Sequence, residues 1–182
     1  MQSLTAEPAR WVGVACVDWD NPQLVASGFY PDDLPADWHL TYYANYIMAC
    51  VLSPEKWLNA SADDIADWCD QTQENFWFYL LCHTVEQFEQ AQQCASKFPS
   101  KMAGCVLSFS MDDVLVSDWP LLRVGAEVFS YDYAQLREAK PLLMGWLGSE
   151  SAQSHALVLM SASKADQVKA VQTLLELLGV GR

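Results

Sequence analysis

The chain has 182 residues, of which 52% are hydrophobic, and a formal net charge of −13 at pH 7. This length and apolar content suffice for one packed core, so we predict a single domain over residues 1–182. Phosphate backbones and anionic lipid surfaces need clustered basic side chains, and the sequence has only 10 lysines and arginines, so neither nucleic acid nor a membrane is an expected partner.

The first third of the chain predicts a strand, a helix and a second strand. The apolar run WVGVACV at 11–17 contains several valines and predicts a buried strand. A loop rich in proline and aspartate follows and leads into a predicted helix over 36–46. Aromatic residues recur in that helix at helical spacing, which predicts that Trp38 and Tyr42 are buried against the sheet. The run IMACVLS at 47–53 predicts the second strand.

The middle of the chain predicts two further helices and two further strands. Ser61 and Asp64 have the spacing of a capping pair and predict the start of a helix. The run FWFYLLC at 76–82 predicts the third strand, and Thr84 is suited to cap the helix that follows. The run AGCVLSF at 103–109 predicts the fourth strand.

The last third is irregular at first and then ends in a clear strand and helix. Strands are predicted at 126–132 and 142–148, with a short helix between them. The run HALVLMS at 155–161 predicts the last strand. A helix with a regular apolar face follows it, starting after Ser163 and stopping near Gly179.

The alternation of strands and helices predicts the fold class. Such alternation favours βα units and a mostly parallel sheet, and strands that are apolar on both faces agree with a sheet covered on both sides. A complete (β/α)₈ barrel typically needs about 250 residues, whereas this chain offers about six strands by periodicity. We therefore predict an α/β fold with a mostly parallel sheet, arranged as an incomplete or shortened TIM-like barrel.

The order of motifs in the N-terminal half resembles that of the DUF72 (YecE-like) family. The strand GVACVDW precedes GFYP at 28–31 and a W-x-L-x-Y-Y helix that starts at Trp38. Further along, Trp68 precedes the FWF of the third strand. The resemblance covers about residues 1–84 and is plausible again at 155–180. It implies a TIM-like barrel of unestablished activity.

Several positions depart from the family pattern. The resemblance places Val51 where the family has a glutamate and Ser53 where it has an asparagine. Leu81 stands where a lysine is usual, and His83–Thr84 reverses a Thr-His pair. These departures imply a divergent, shortened relative that has lost the site of its larger cousins.

Polar residues follow each predicted strand, at the end where ligands bind in parallel α/β folds. His83 is the best candidate for a general base, because it is the only one of three histidines at a predicted strand end. Asp18 and Asp112 are the carboxylates that would share acid and base roles if they met. The simpler interpretation is that these are solvated loop residues and that His83 packs beside a helix cap. The candidate ligand-binding residues are Trp19, Ser53, Glu55, Ser108 and Ser110, and further polar residues at strand ends are Asp20, Asp113, Asp132 and Ser161.

The sequence contains no motif for a metal or a cofactor. Its histidines lack metal-spaced partners, and its 6 cysteines include no C-x-x-C pair, so we expect no metal site and no cofactor. Four of the cysteines lie inside predicted strands, where a free thiol acts as a small hydrophobe. This arrangement favours a reducing cytoplasm over a secreted disulfide framework.

From these observations we predict a non-catalytic cytoplasmic protein that binds a protein or a small molecule. Before Lys97 the only basic residues are Arg10 and Lys56, so this half of the chain is strongly acidic. Its negative charge would attract a basic protein partner, although a solvated surface is the simpler explanation. The alternative is a small hydrolase with its site at the carboxyl ends of the strands, around His83 and an aspartate. The weakly patterned region 111–150 carries many apolar residues and predicts a homodimer, with a monomeric core as the other possibility.

Overall fold

Seven parallel strands curl into a nearly closed barrel in the computed structural model of this chain. The structure describes residues 11–98, 100–110, 117, 119–132, 135–149, 155–160 and 164–180. The strands in chain order are β1 (Trp11–Val17), β2 (Ala49–Leu52), β3 (Trp77–Cys82), β4 (Met102–Leu107), β5 (Leu121–Arg123), β6 (Val128–Tyr131) and β7 (His155–Met160).

Helices cover the outside of the barrel, and several begin where the sequence predicts a cap. Ser61 and Asp64 form a reciprocal capping box, and the Thr84 hydroxyl accepts a hydrogen bond from the Gln87 N–H. The last helix ends before Gly179, whose φ of +71° favours glycine. The helices are α1 (Pro22–Ala26), α2 (His39–Ala44), α3 (Pro54–Asn59), α4 (Ala62–Asp70), α5 (Val85–Ala95), α6 (Leu136–Leu147) and α7 (Ala165–Leu177), with a 3₁₀ turn at Ala36–Trp38.

The strand order is β5-β4-β3-β2-β1-β7-β6, so the first strand lies between the second and the last. The register pairs Cys16 of β1 with Cys50 of β2 on one side and with Met160 of β7 on the other. The two edge strands, β5 and β6, are connected by an isolated parallel bridge between Val124 and Val128. The α/β prediction of a shortened TIM-like barrel is therefore confirmed.

The strands bury side chains on both faces. One set faces the barrel interior and includes Ala15, Val51, Tyr79 and Leu157, while the alternate residues pack under the helices. Val51, where the resemblance expects a glutamate, is fully buried in that interior. Leu81, where it expects a lysine, lies in the same interior cluster. Both positions thus contribute to the apolar filling of the barrel.

The helix α2 is rotated from the predicted orientation, and the expectation that Trp38 is buried is wrong. Trp38 lies in the 3₁₀ turn with 61% of its surface exposed, and Tyr42 is only partly buried. Leu40 and Tyr43 face the core instead. Phe29, from the preceding loop, is 2% exposed and occupies core space beside this helix.

The predicted strand at 142–148 is also wrong, because these residues belong to α6. The helix continues through Pro141 and buries Ala139, Leu143 and Leu147, which are spaced four residues apart. Leu142, next to the buried Leu143, is exposed, so the apolar run 142–148 does not form a strand buried on both faces.

A buried lysine closes the carboxyl end of α4. The Lys101 ammonium donates hydrogen bonds to the Cys69 carbonyl at 2.5 Å and to the Thr72 carbonyl and hydroxyl at 2.8 Å. These contacts satisfy acceptors at the negative end of the helix dipole, which compensates the cost of burying the charge. Lys101 is therefore a structural residue.

All six cysteines are free, and those in β1 to β4 are buried, as the sequence predicts. No helix in the part of the chain that the structure describes has the length and apolar character needed to cross a membrane.

Candidate functional site

Asp18 follows β1 directly and joins the ends of two strands. Its carboxylate accepts a hydrogen bond from the Ser53 N–H at 2.9 Å, and its own N–H donates to the Val51 carbonyl at 2.9 Å. Its φ of +49° is in the left-handed region, where a non-glycine residue is uncommon. Burial raises the pKa of the carboxyl group, against the hydrogen bonds from Ser53 that lower it. The contacts of Asp18 hold the β1 and β2 ends together.

Trp19 is a core residue rather than an exposed ligand contact. It is 7% exposed and packs edge-on against Trp68, with ring centroids 5.2 Å apart. The Lys56 ammonium lies 4.1 Å from the Trp19 ring centroid and 2.7 Å from the Asp20 carboxylate. This packing closes the surface above Trp19.

Other predicted ligand-binding residues either cap a helix or are exposed side chains. The Ser53 hydroxyl caps α3 by accepting from the Lys56 N–H at 3.3 Å. Glu55 is exposed in the first turn of the same helix. Ser110, beyond β4, is exposed as well.

Two predicted residues meet at the ends of β3 and β4. The Nδ1 atom of His83 lies 2.5 Å from the Ser108 hydroxyl oxygen. Both side chains are exposed, and the Ser108 hydroxyl also lies 3.4 Å from the Cys82 carbonyl oxygen. The hydrogen bonds thus pair His83 with Ser108 and Asp18 with Ser53. Asp112, Asp113 and Ser161 lie outside the described residues.

A cavity of about 540 Å³ opens at the carboxyl ends of β1, β6 and β7. Its polar residues include Asn21, Ser130 and Asp132. Asp132 is one of the polar residues that the sequence places at a strand end. Asn21 is already engaged, because its side chain accepts from the Leu24 N–H at 2.8 Å. Neither His83 nor Asp18 is among the described residues that line this cavity. The histidine and the cavity are therefore separate features.

An exposed set of aromatic side chains lies on and beside α2, where the sequence pattern predicts buried ones. We call Trp38, Tyr42 and Tyr46 the aromatic face. Trp38 is 61% exposed and Tyr46 is 40% exposed. The rings of Tyr42 and Tyr46 are 5.0 Å apart, and each lies 5.9 Å from the buried ring of Phe29. The helical spacing of Trp38 and Tyr42 predicts that both are buried, whereas Trp38 is exposed and Tyr42 is only partly buried.

Three aspartates precede the aromatic face in the chain. Asp32, Asp33 and Asp37 are all exposed. Within the described ranges, the ion pairs are Lys56–Asp20 and Arg123–Glu127, so these three carboxylates are unpaired there. The segment therefore combines exposed aromatic rings with uncompensated negative charge.

No group of three or more histidine, cysteine, aspartate or glutamate residues is placed to hold a metal ion among the residues that the structure describes.

Comparisons with known proteins give no relative: no protein-family model, no curated protein and no solved structure matches the chain. The DUF72 resemblance accordingly stays a prediction.

Proposed function

We propose that this chain is a non-catalytic, cytoplasmic relative of the DUF72 proteins that binds a basic segment of a protein partner. The observation that carries the proposal is the exposure of Trp38, which follows in the chain three aspartates that have no ion pair among the described residues. Large aromatic residues are enriched at the centres of protein interfaces, because they bury much area at a small cost in conformational entropy.

Arginine is the side chain that fits this surface best. Its planar guanidinium stacks on aromatic rings and also forms bidentate hydrogen bonds with carboxylates. Asp37 is adjacent to Trp38 in the chain, so one partner segment can contact both the aromatic ring and the carboxylate. The net charge of −13 favours encounter with a basic partner.

The arrangement at the strand ends supports binding rather than catalysis. A histidine base and a carboxylate must act on the same substrate, yet Asp18 is hydrogen-bonded to Ser53 and His83 to Ser108. The interior positions Val51 and Leu81 hold aliphatic side chains in the apolar cluster. A proton-transfer site built from Asp18 and His83 is therefore not supported.

Binding to an arginine-rich peptide tests the proposal. A fluorescein-labelled peptide of alternating arginine and serine is titrated with the protein, and its anisotropy is followed at two salt concentrations. We expect Trp38→Ala to weaken binding about tenfold, as loss of an interface anchor does. Changing Asp32, Asp33 and Asp37 together to asparagine is expected to weaken binding mainly at low salt.

Leu177→Ala is the control, because Leu177 is 80% exposed on α7 and does not belong to the aromatic face. This variant is expected to bind like the wild type. Equal peptide affinity of Trp38→Ala, Tyr46→Ala and the wild type would contradict the proposal.

A hydrolytic His83–Ser108 pair is the second candidate, favoured by the 2.5 Å contact between Nδ1 and the hydroxyl oxygen. In such a pair the imidazole takes the hydroxyl proton as the serine attacks an ester carbonyl. No carboxylate among the described residues contacts His83 to orient it in the way of a triad.

Hydrolysis of p-nitrophenyl acetate distinguishes this candidate. Under the binding proposal, we expect Ser108→Ala and His83→Gln to hydrolyse the ester at the wild-type rate. A loss of rate by about 100-fold or more in both variants would instead support the hydrolase, since a positioned base typically contributes that much.

The homodimer through region 111–150 stays a proposal. The apolar residues of this region are divided between two environments, because Leu122 and Leu143 are buried whereas Leu142 and Met144 are exposed. A dimer contact would therefore use the outer side of α6.

A further inference from the structure

A second cavity, of about 650 Å³, opens at the amino ends of the strands, opposite the end where ligands were expected. Its residues lie at or just before the first residues of β1, β2, β3, β4, β5 and β7. The cavity shares no residue with the aromatic face. The large side chains that line it are Trp11, Met48, Trp77, Met102, Trp119 and His155, and Asn75 adds an amide.

Small residues near this end of the barrel make room for the aromatic side chains. Gly13 is required by close approach, because a Cβ atom there would come within 2.3 Å of Cη2 of Trp11. The Trp11 indole therefore lies directly over Gly13. Ala15 and Ala49 keep the neighbouring interior positions small, and Ala103 lines the cavity itself. The cavity thus results from small residues placed next to large aromatic ones.

The polar side chains that line the cavity are those of Asn75, which is exposed, and His155. The Nε2 atom of His155 is hydrogen-bonded to the hydroxyl of Tyr79, which is fully buried behind the lining. Burial lowers the pKa of His155, which favours the neutral imidazole. A buried hydroxyl proton needs an acceptor, and Nε2 supplies one if Tyr79 donates. The imidazole proton then sits on Nδ1, which has no hydrogen-bond partner among the described residues.

We propose that this cavity binds a neutral, planar aromatic molecule that presents a carbonyl oxygen or ring nitrogen to Nδ1 of His155. The three indoles and two thioethers favour a flat apolar ring system. The described lining residues include no lysine, arginine, aspartate or glutamate, so nothing there compensates a charged ligand. The volume lies within the range of about 300–1,000 Å³ that is common for small-molecule sites.

The test uses prodan, a neutral naphthalene that carries a ketone and changes its emission in apolar surroundings. Its analogue 2-dimethylaminonaphthalene lacks the carbonyl and reports on ring packing alone. We expect prodan to bind with a blue shift, and we expect Ala103→Leu to weaken binding of both probes at least tenfold by filling the cavity. Ser130→Leu, which alters the cavity at the other end of the barrel, is expected to leave both affinities unchanged.

The double variant Tyr79→Phe/His155→Phe tests the hydrogen bond without leaving either partner unsatisfied. We expect it to weaken prodan about tenfold while leaving the analogue unchanged, because only the ketone accepts from Nδ1. Tyr79→Phe alone removes the hydroxyl that holds the imidazole proton on Nδ1, so it is expected to weaken prodan by less than the double variant does and to leave the analogue unchanged. Thermal melts confirm that each variant is folded.

Three results would overturn the inference. Unchanged prodan affinity in Ala103→Leu, or loss of affinity in Ser130→Leu instead, would move the ligand away from this cavity. Equal weakening of both probes in the double variant would remove His155 as the recognition group.

Discussion

Trp57→Ala is expected to lower the free energy of unfolding by about 3–5 kcal/mol, the usual cost of truncating a buried tryptophan. Trp57 is 1% exposed in α3, and its indole N–H donates to the Leu81 carbonyl at 3.0 Å. The substitution therefore leaves a cavity under the helix and an unsatisfied carbonyl on β3. Urea denaturation followed by far-UV circular dichroism measures the change.

Trp38→Ala is the matched control, since it is the same substitution at a position that is 61% exposed. We expect a change within about 0.5 kcal/mol, as for most surface substitutions. A destabilisation by Trp38→Ala as large as that of Trp57→Ala would mean that Trp38 is buried, and the aromatic face would lose its anchor.

Tyr43→Phe is expected to be the second most damaging change, although it removes a single oxygen atom. The Tyr43 hydroxyl accepts from the Cys16 N–H at 2.9 Å and donates to the Ala49 carbonyl at 2.8 Å. It thus connects backbone groups of β1 and β2 deep in the core. Without it, each buried group loses its partner at a cost of about 1–3 kcal/mol.

Tyr46→Phe provides the comparison on the same segment. Its hydroxyl lies 3.4 Å from that of Tyr42 on the exposed side, where water replaces the contact. We expect urea midpoints to fall clearly for Tyr43→Phe and hardly at all for Tyr46→Phe. A Tyr43→Phe midpoint equal to that of the wild type would show that the strands re-form a direct hydrogen bond.

The barrel could be predicted because each of its strands but β5 is a short apolar run and the caps are local. Ser61 and Thr84 fix helix starts through side chains that act within three residues, so the sequence alone reveals them. The orientation of α2 could not be predicted in this way. Its two sides are both aromatic, and Tyr43 rather than Trp38 faces the core, where its hydroxyl is hydrogen-bonded to Ala49, close in sequence, and to Cys16, which is 27 residues away.

The candidate sites were harder to predict because they depend on which strand ends converge. The pairing of His83 with Ser108 agrees with the expectation that polar residues after neighbouring parallel strands meet. The cavity at the opposite end requires Trp11 to fold over Gly13 and His155 to reach Tyr79 across the barrel. Neither contact has a local pattern in the sequence.

The position of β1 between β2 and β7 has a consequence for synthesis on the ribosome. Trp11 emerges early in synthesis, yet its partner His155 lies near the end of the chain. One edge of β1 therefore stays open for most of translation, which is the condition under which nascent strands associate wrongly. A translational pause between β6 and β7 would prolong that exposure without altering the stability of the finished protein.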